Sequence, residues 1–235
     1  MKLRLTIFTF IICAAISAVS AQSAIQRYEL DVNDFNTLIV ENSIRIDLKC
    51  SPDSAGKAVF YATSPQSDEI FFSNNNKGRL TLSRDPSAGN DHPPFITLYT
   101  SGIKKIVNSG DSLVRIDGIE TTEKFQAILI GNGRLVVHDV KAPEVDASIR
   151  SGHGQLIIDG SCTKATLSLV GTGIIQADHL DCVNCKASVV GTGTIGANPS
   201  ESITITGMGS GNVWYRTVPP TIKSRGVGLH HGKLE

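Results

Sequence analysis

The sequence predicts an all-β fold, a single-stranded parallel β-solenoid (β-helix) with coils of about 20 residues. Three observations predict it. Glycine pairs recur at a nearly constant interval, short β-branched segments flank each pair, and these segments alternate in the strand manner without a helical period. A coil of this size makes a few short strands around a small apolar interior that it cannot bury alone. Stacking the next coil one strand spacing above supplies both the backbone partners and the burial.

The glycines give the period. Of 22 glycines, 19 fall from Gly102 onward. They form the pairs Gly131/Gly133, Gly152/Gly154, Gly171/Gly173, Gly191/Gly193, Gly209/Gly211 and Gly226/Gly228, preceded by a degenerate copy, Ser109-Gly110-Asp111-Ser112. First-glycine intervals are 21, 21, 19, 20, 18 and 17 residues. The pairs belong at a corner, where the chain bends and a positive φ is needed. Counting back from each first glycine, Ala127, Leu167, Ala187 and Ile205 form one inward column, and Leu129, Leu169 and Val189 the next. Residues 145–151 fit only with a shift of one, Val145, Ala147 and Ile149 pointing in, which predicts a bulge near Arg150 and Ser151. Small interior residues suit a narrow triangular tube. A β-sandwich also has evenly spaced short strands, but it does not need a glycine pair at the same place in every unit.

Residues 22–100 read as irregular, wider first coils, and residues 101–235 as the regular Gly-x-Gly coils. Strands are expected at 38–40, 44–48, 58–61, 69–72 and 79–82, with a hairpin turn over 74–78 and a loop over 85–94. Aromatic residues concentrate here (Tyr28, Phe35, Phe60, Tyr61, Phe71, Phe72, Phe95, Tyr99), and are expected to plug one end of the tube. Trp214 and Tyr215 are expected to close the other. Lys223, Arg225, His230 and His231 would keep the last edge from pairing.

Residues 1–21 read as a signal peptide. Lys2 and Arg4 precede an apolar run from Leu5 to Ile16, and Ala18-Val19-Ser20-Ala21 offers small residues for cleavage after Ala21. The run is short for a membrane span, and no later stretch is long and apolar enough. Bulky residues before Cys13 argue against a lipoprotein signal. Residues 22–235 are then one exported solenoid domain, destined for the periplasm, the cell surface or the medium. The whole chain has 22 basic and 22 acidic residues, so a nucleic-acid partner is excluded for want of a basic surplus.

The recurring glycine corners, the lead-in Phe35-Asn36-Thr37-Leu38-Ile39-Val40, and the closing Gly209-Ser210-Gly211-Asn212-Val213-Trp214-Tyr215 with Pro219-Pro220 resemble the autotransporter adhesin head GIN domain family of Bacteroides-like bacteria. The resemblance covers about residues 30–230. It implies a right-handed parallel β-helix and an exported or surface location, and it brings no catalytic residues. The chain departs from the pattern at Ser109-Gly110-Asp111-Ser112 and at Arg225-Gly226-Val227-Gly228.

One column of residues invites chemistry. Asp117, His138, Asp159, Asp178, Asn198 and Arg216 each fall five residues after a second glycine position. Stacked carboxylates can hold calcium, so Asp117, Asp159 and Asp178 are the candidate metal set. Parallel β-helix lyases use calcium and a base on polysaccharides, which makes a pectate-lyase-like enzyme the competing function. Against it, Asp and Asn also favour turns by bonding their own backbone, and no lysine or arginine recurs beside the acids. His153 stands at the middle of a Gly-His-Gly corner and reads as an exposed corner residue. His230 and His231 lack a carboxylate partner. No nucleophile elbow, catalytic residue or cofactor motif is present, and the glycine pairs lack the helix that would make them phosphate loops.

Four cysteines remain after the leader: Cys50, Cys162, Cys182 and Cys185. Cys162 and Cys182 each lie nine residues before a first glycine, so they are expected to stack on adjacent coils within disulfide reach. Cys185 is expected to face inward as a core thiol. The leading function is a non-enzymatic adhesin or surface-binding module meeting a glycan or a cell-envelope protein. A ligand-free envelope scaffold is a further alternative.

Overall fold

The computed structural model of the protein describes residues 24–75, 77–88 and 93–234. The leader at 1–21 and Cys13 lie outside the described residues. Among the described residues, seventeen strands join in one hydrogen-bonded sheet that curls into a β-solenoid. Helix is confined, among the described residues, to Ser64–Asp68 and a 3-10 turn at Pro52–Ser54.

Each coil contributes to two parallel ladders. One runs, in space, through Arg79–Arg84, Thr37–Val40, Lys105–Asn108, Phe125–Leu129, residues 144–149, 164–171, 184–191 and 202–208, and Thr221–Val227. The other runs through Phe95–Thr100, Arg45–Cys50, Leu113–Glu120, residues 134–141, 155–162, 174–182 and 194–197, then Asn212–Tyr215 and His230–Lys233. A short third side joins them, where Ala142, Cys162, Cys182 and Pro199 stack in register.

The inward columns follow from alternation. Ala127, Ala147, Leu167, Ala187 and Ile205 are in register and no more than 1% exposed. Leu129, Ile149, Leu169 and Val189 form the next column, with Asn108 beneath them. Each buried Leu or Ile contributes about 1.5–3 kcal/mol of transfer free energy, but only while the coils above and below cover it. The shift foreseen at 145–151 is present: Arg150 and Ser151 both precede the corner Gly152, where Ile130 and Val170 alone precede Gly131 and Gly171. The ladder keeps its register through Ile149, and the additional residue is absorbed at 150–151, where the chain enters the bend.

The glycine pair serves two purposes, seen at Gly191 and Gly193. Gly191 has φ +126°, and a Cβ there would stand 2.3 Å from the Gly171 carbonyl oxygen of the coil below. Gly193 points into the tube, where a Cβ would stand 2.4 Å from a Leu169 methyl. The two degenerate corners have their own solutions. At the first, Asn108 is fully buried; its amide donates to the carbonyls of Ser112 (3.0 Å) and Arg134 (3.3 Å), and its oxygen accepts the Gly110 N–H (3.1 Å). At the last, Gly228 (φ +78°) is the corner glycine, with a Cβ there set to meet the Gly209 carbonyl; Gly226 instead pairs with Gly207 inside the strand.

The N-terminal region departs from chain order. The coil at 79–100 lies outside the coil at 37–50, and the chain then returns to Lys105–Asn108 on the inner side. Between them, Lys57–Ala62 and Ile70–Asn75 run antiparallel to the outermost coil, and Gln26–Asp31 adds antiparallel to the former. This antiparallel cap holds the stacked rings of Tyr28 and Phe60 (5.2 Å) and of Phe60 and Phe72 (6.0 Å). Not every aromatic joins it: Tyr61, Phe71 and Phe95 are exposed. At the far end Tyr215 is buried, whereas Trp214 points outward from the tube. The final coil keeps Ile222 above Ile203 but turns its other inward positions polar, with Ser224, His231 and Lys233 above Ile205, Val213 and Tyr215. That change ends the apolar interior.

Replacing Gly191 by alanine forces both a positive φ and a backbone clash, and is expected to cost about 2 kcal/mol or more in urea unfolding. Gly102→Ala, where an added Cβ meets nothing within 4 Å, is expected to stay within about 0.5 kcal/mol of the native protein. Equal effects at the two sites would contradict this account of the corners.

Candidate functional site

The polar column resolves into a surface ladder of mutual partners. At its lower end the Asp47 carboxylate, only 5% exposed, faces Arg115 Nε (3.3 Å) and Lys49 Nζ (3.8 Å). Arg115 also reaches Asp117 (3.5 Å). Asp117 pairs in register with His138, whose Nδ1 lies 2.5 Å from Asp159 Oδ2. The other Asp159 oxygen accepts the N–H of Asp139 (2.8 Å), a non-glycine residue at φ +53° that turns this corner.

Above Asp159 the column breaks. A register shift aligns Asp159 with His179 and leaves Asp178 aside, and a second shift aligns Asn198 with Asp181. Asn198 donates its amide to Asp181 (2.7 Å). The candidate calcium set of Asp117, Asp159 and Asp178 therefore does not converge. His138 stands between the first two, and the third is displaced. Among the described residues no group of three His, Cys, Asp or Glu side chains is arranged to hold a metal ion. His153 is exposed on its corner, and His231 lies with its ring 6.5 Å from Tyr215.

Asp178, His179 and Arg216 instead gather beside Trp214. Arg216 Nη1 reaches across the intervening coil to His179 Nδ1 (2.7 Å), and His179 Nε2 lies 3.6 Å from Asp178. The guanidinium can only donate, so Nδ1 accepts and the imidazole proton sits on Nε2, toward Asp178. In the adjoining outward row, Gln176, Gly196, Trp214 and Gly232 occupy successive coils. The Asp178 carboxylate leans over Gly196, and the indole leans over Gly232, where an added Cβ would meet it at 3.0 Å. With glycine on both flanks, no side chain of its own row covers the ring. Alternation alone places Trp214 outward, because Val213 and Tyr215 are its inward neighbours. The sequence reading that used it as an end plug missed that parity.

Cys162 and Cys182 are Cα partners on adjacent coils, and Cys185 is buried 2% exposed in the core. All four described cysteines are free thiols in this structure, so the expected Cys162–Cys182 bond is not formed here. Both residues line a groove of about 350 Å³ with Ser161, Asp181, Asn198 and Thr217. Hydrogen bonding with Cys182, then burial, pushes the Cys162 thiol up. At Cys182 the hydrogen bond with Cys162 works downward, but contact with Cys185 and burial outweigh it, and the thiol is pushed up to about 12. Reduced, neither is a thiolate near neutral pH, so neither acts as a nucleophile there.

Residues 34–219 match the family described as "Putative auto-transporter adhesin, head GIN domain". The chain belongs to this family. Its similar solved structures include a "putative adhesin" from Bacteroides fragilis (21% identity, TM-score 0.75, covering 91% of this chain and 98% of that one). Another is a "putative adhesin" from Parabacteroides merdae (17%, TM-score 0.67, the same coverage). A "Putative lipid binding protein" from Parabacteroides distasonis is similar at 14% identity and TM-score 0.67, again with 91% and 98% coverage. At these identities the likeness shows the fold of the GIN-domain solenoid alone. None of the three is named as an enzyme. No curated protein matches the chain.

Proposed function

We propose that this GIN-domain protein is an exported, non-enzymatic binding module that takes a saccharide on the outside of the tube, around Trp214. The carrying observation is the outward, partly exposed indole of Trp214, which lies over Gly232 and has glycine on both flanks of its row, with Asp178, His179 and Arg216 linked on the same side of the tube. The C–H face of a sugar ring packs against a flat aromatic ring, and adjacent fixed donors and acceptors select its hydroxyls. A pectate-lyase-like activity is disfavoured because Asp117, Asp159 and Asp178 do not converge and each faces a basic side chain, Arg115, His138 and His179 respectively. Export is supported by the leader pattern at 1–21 and by the family's autotransporter description; the mature chain is then the single domain 22–235.

The full mature chain, screened on a glycan array and then titrated by calorimetry, is expected to retain a saccharide, and Trp214→Ala to weaken it about tenfold or more. Calcium should make no difference to the titration, and polyuronate substrates should yield no unsaturated product. An array that retains nothing, or a Trp214→Ala variant that binds normally, would overturn the reading.

Export also favours closing Cys162–Cys182. Partners on neighbouring strands lie about 4.8 Å apart, inside the 4.4–6.8 Å that a disulfide spans. The exchange takes place during folding, before burial: one cysteine, as a thiolate, attacks a protein disulfide of the envelope, the other displaces the mixed disulfide, and two protons and two electrons leave with the resulting dithiol. Thiol counting on protein taken from the oxidising envelope is expected to find Cys50 and Cys185 free, with peptide mapping joining the other two. Four reactive thiols in the denatured chain would rule the bond out.

A further inference from the structure

Outward side chains rarely stack as apolar ladders, because water is their alternative neighbour. One such ladder is present here. Val170, Val190, Met208 and Val227 are successive register partners up the tube, and they are 44%, 48%, 66% and 72% exposed. Each is the last residue before a corner glycine with positive φ (Gly171, Gly191, Gly209, Gly228). The chain turns away immediately, so the four side chains stand on a convex edge. Three strand spacings make the ridge about 14 Å long. Ile174, 42% exposed, adds apolar surface just past the corner.

The flank of the ridge carries one sign of charge. Lys186, Thr204 and Lys223 form one outward row, and Ser188, Thr206 and Arg225 the row beside the ridge. No aspartate or glutamate occurs in 164–171, 184–191, 202–208 or 221–227. One coil below this stretch the face carries both signs, with Asp146 in the row of Lys186 and paired with Lys124 (2.9 Å). Lys164, at the foot of this face, is spoken for by Glu144 (3.1 Å).

We propose that this ridge seats the protein on an anionic lipid surface. A convex ridge one side chain wide offers too little flat area for a stable protein interface, which buries about 800 Å² per partner. A second copy using the same face would set basic residues against basic residues. A bilayer surface asks only for apolar side chains entering the headgroup boundary by about 5–10 Å, with lysine and arginine left at the anionic headgroups. This inference stands apart from the saccharide site, because it uses none of the residues around Trp214.

The test is co-sedimentation of the full mature chain with phosphatidylglycerol–phosphatidylcholine vesicles and with phosphatidylcholine vesicles alone. Two double variants accompany it, Val190→Ser with Met208→Ser, and Lys186→Glu with Lys223→Glu. All four positions are exposed, and thermal melting of each variant confirms its fold. The expected result is binding to the anionic vesicles only, weakened about tenfold or more by either double variant and by high salt. Native protein that stays in the supernatant, binds both vesicle types equally, or self-associates through Met208 would overturn the proposal. So would folded variants that bind like the native chain. Saccharide retention measured on the same samples separates this failure from a failure of the Trp214 reading.

Discussion

The fold depends on how closely one coil's backbone approaches the next at a corner. Strand spacing fixes that approach at about 4.8 Å along the ladders, and the corners must match it while the chain reverses direction. A side chain at Gly191 or Gly209 would occupy the space of a carbonyl oxygen in the coil below. Glycine at the corner therefore lets the two ladders stay in register, and register places every alternate residue inside or outside for the length of the tube. The interior columns and the outward rows are consequences of that one allowance.

The same geometry explains why the acidic column is a poor site and the outer rows are better ones. Side chains stacked on one edge of a solenoid meet their neighbours above and below, so Asp47, Arg115, Asp117, His138 and Asp159 engage each other. The exposed pairs among them, Arg115–Asp117 and His138–Asp159, contribute no more than about 1 kcal/mol each; their effect is to fix side chains in line. Where coil length changes, at 174–198, register slips and the line breaks. Asp178, His179 and Arg216 then meet across coils beside Trp214. Irregularity in the repeat, rather than the repeat itself, is what creates a distinct constellation.

Much of this was legible in the sequence. The glycine period gave the coils, and counting back from it gave the inward columns and the stacking of Cys162 on Cys182. The same parity, followed outward, would have given Val170, Val190 and Met208 as an exposed ladder and Trp214 as an exterior ring. What sequence spacing could not give was the slip between Asp159 and Asp178. A fixed offset from the glycines assumes equal coil lengths, and the corner near 178–181 is longer than its neighbours. Nor could it give the order of the first coils, where 79–100 stacks outside 37–50. That inversion is long-range, settled by an antiparallel cap whose aromatic residues were recognised but whose path was not.

Spin-label distances along one outward column test the rung arrangement most directly. Gln126, Lys186, Thr204 and Lys223 belong to the same column, three, four and five coils apart from the first. In a background without native cysteines, Gln126 paired with Lys186, Thr204 and Lys223 is expected to give mean separations rising by about 4.8 Å per coil, from about 14 to about 24 Å. Separations that fail to increase in that order would contradict stacking, and with it everything built on the corners.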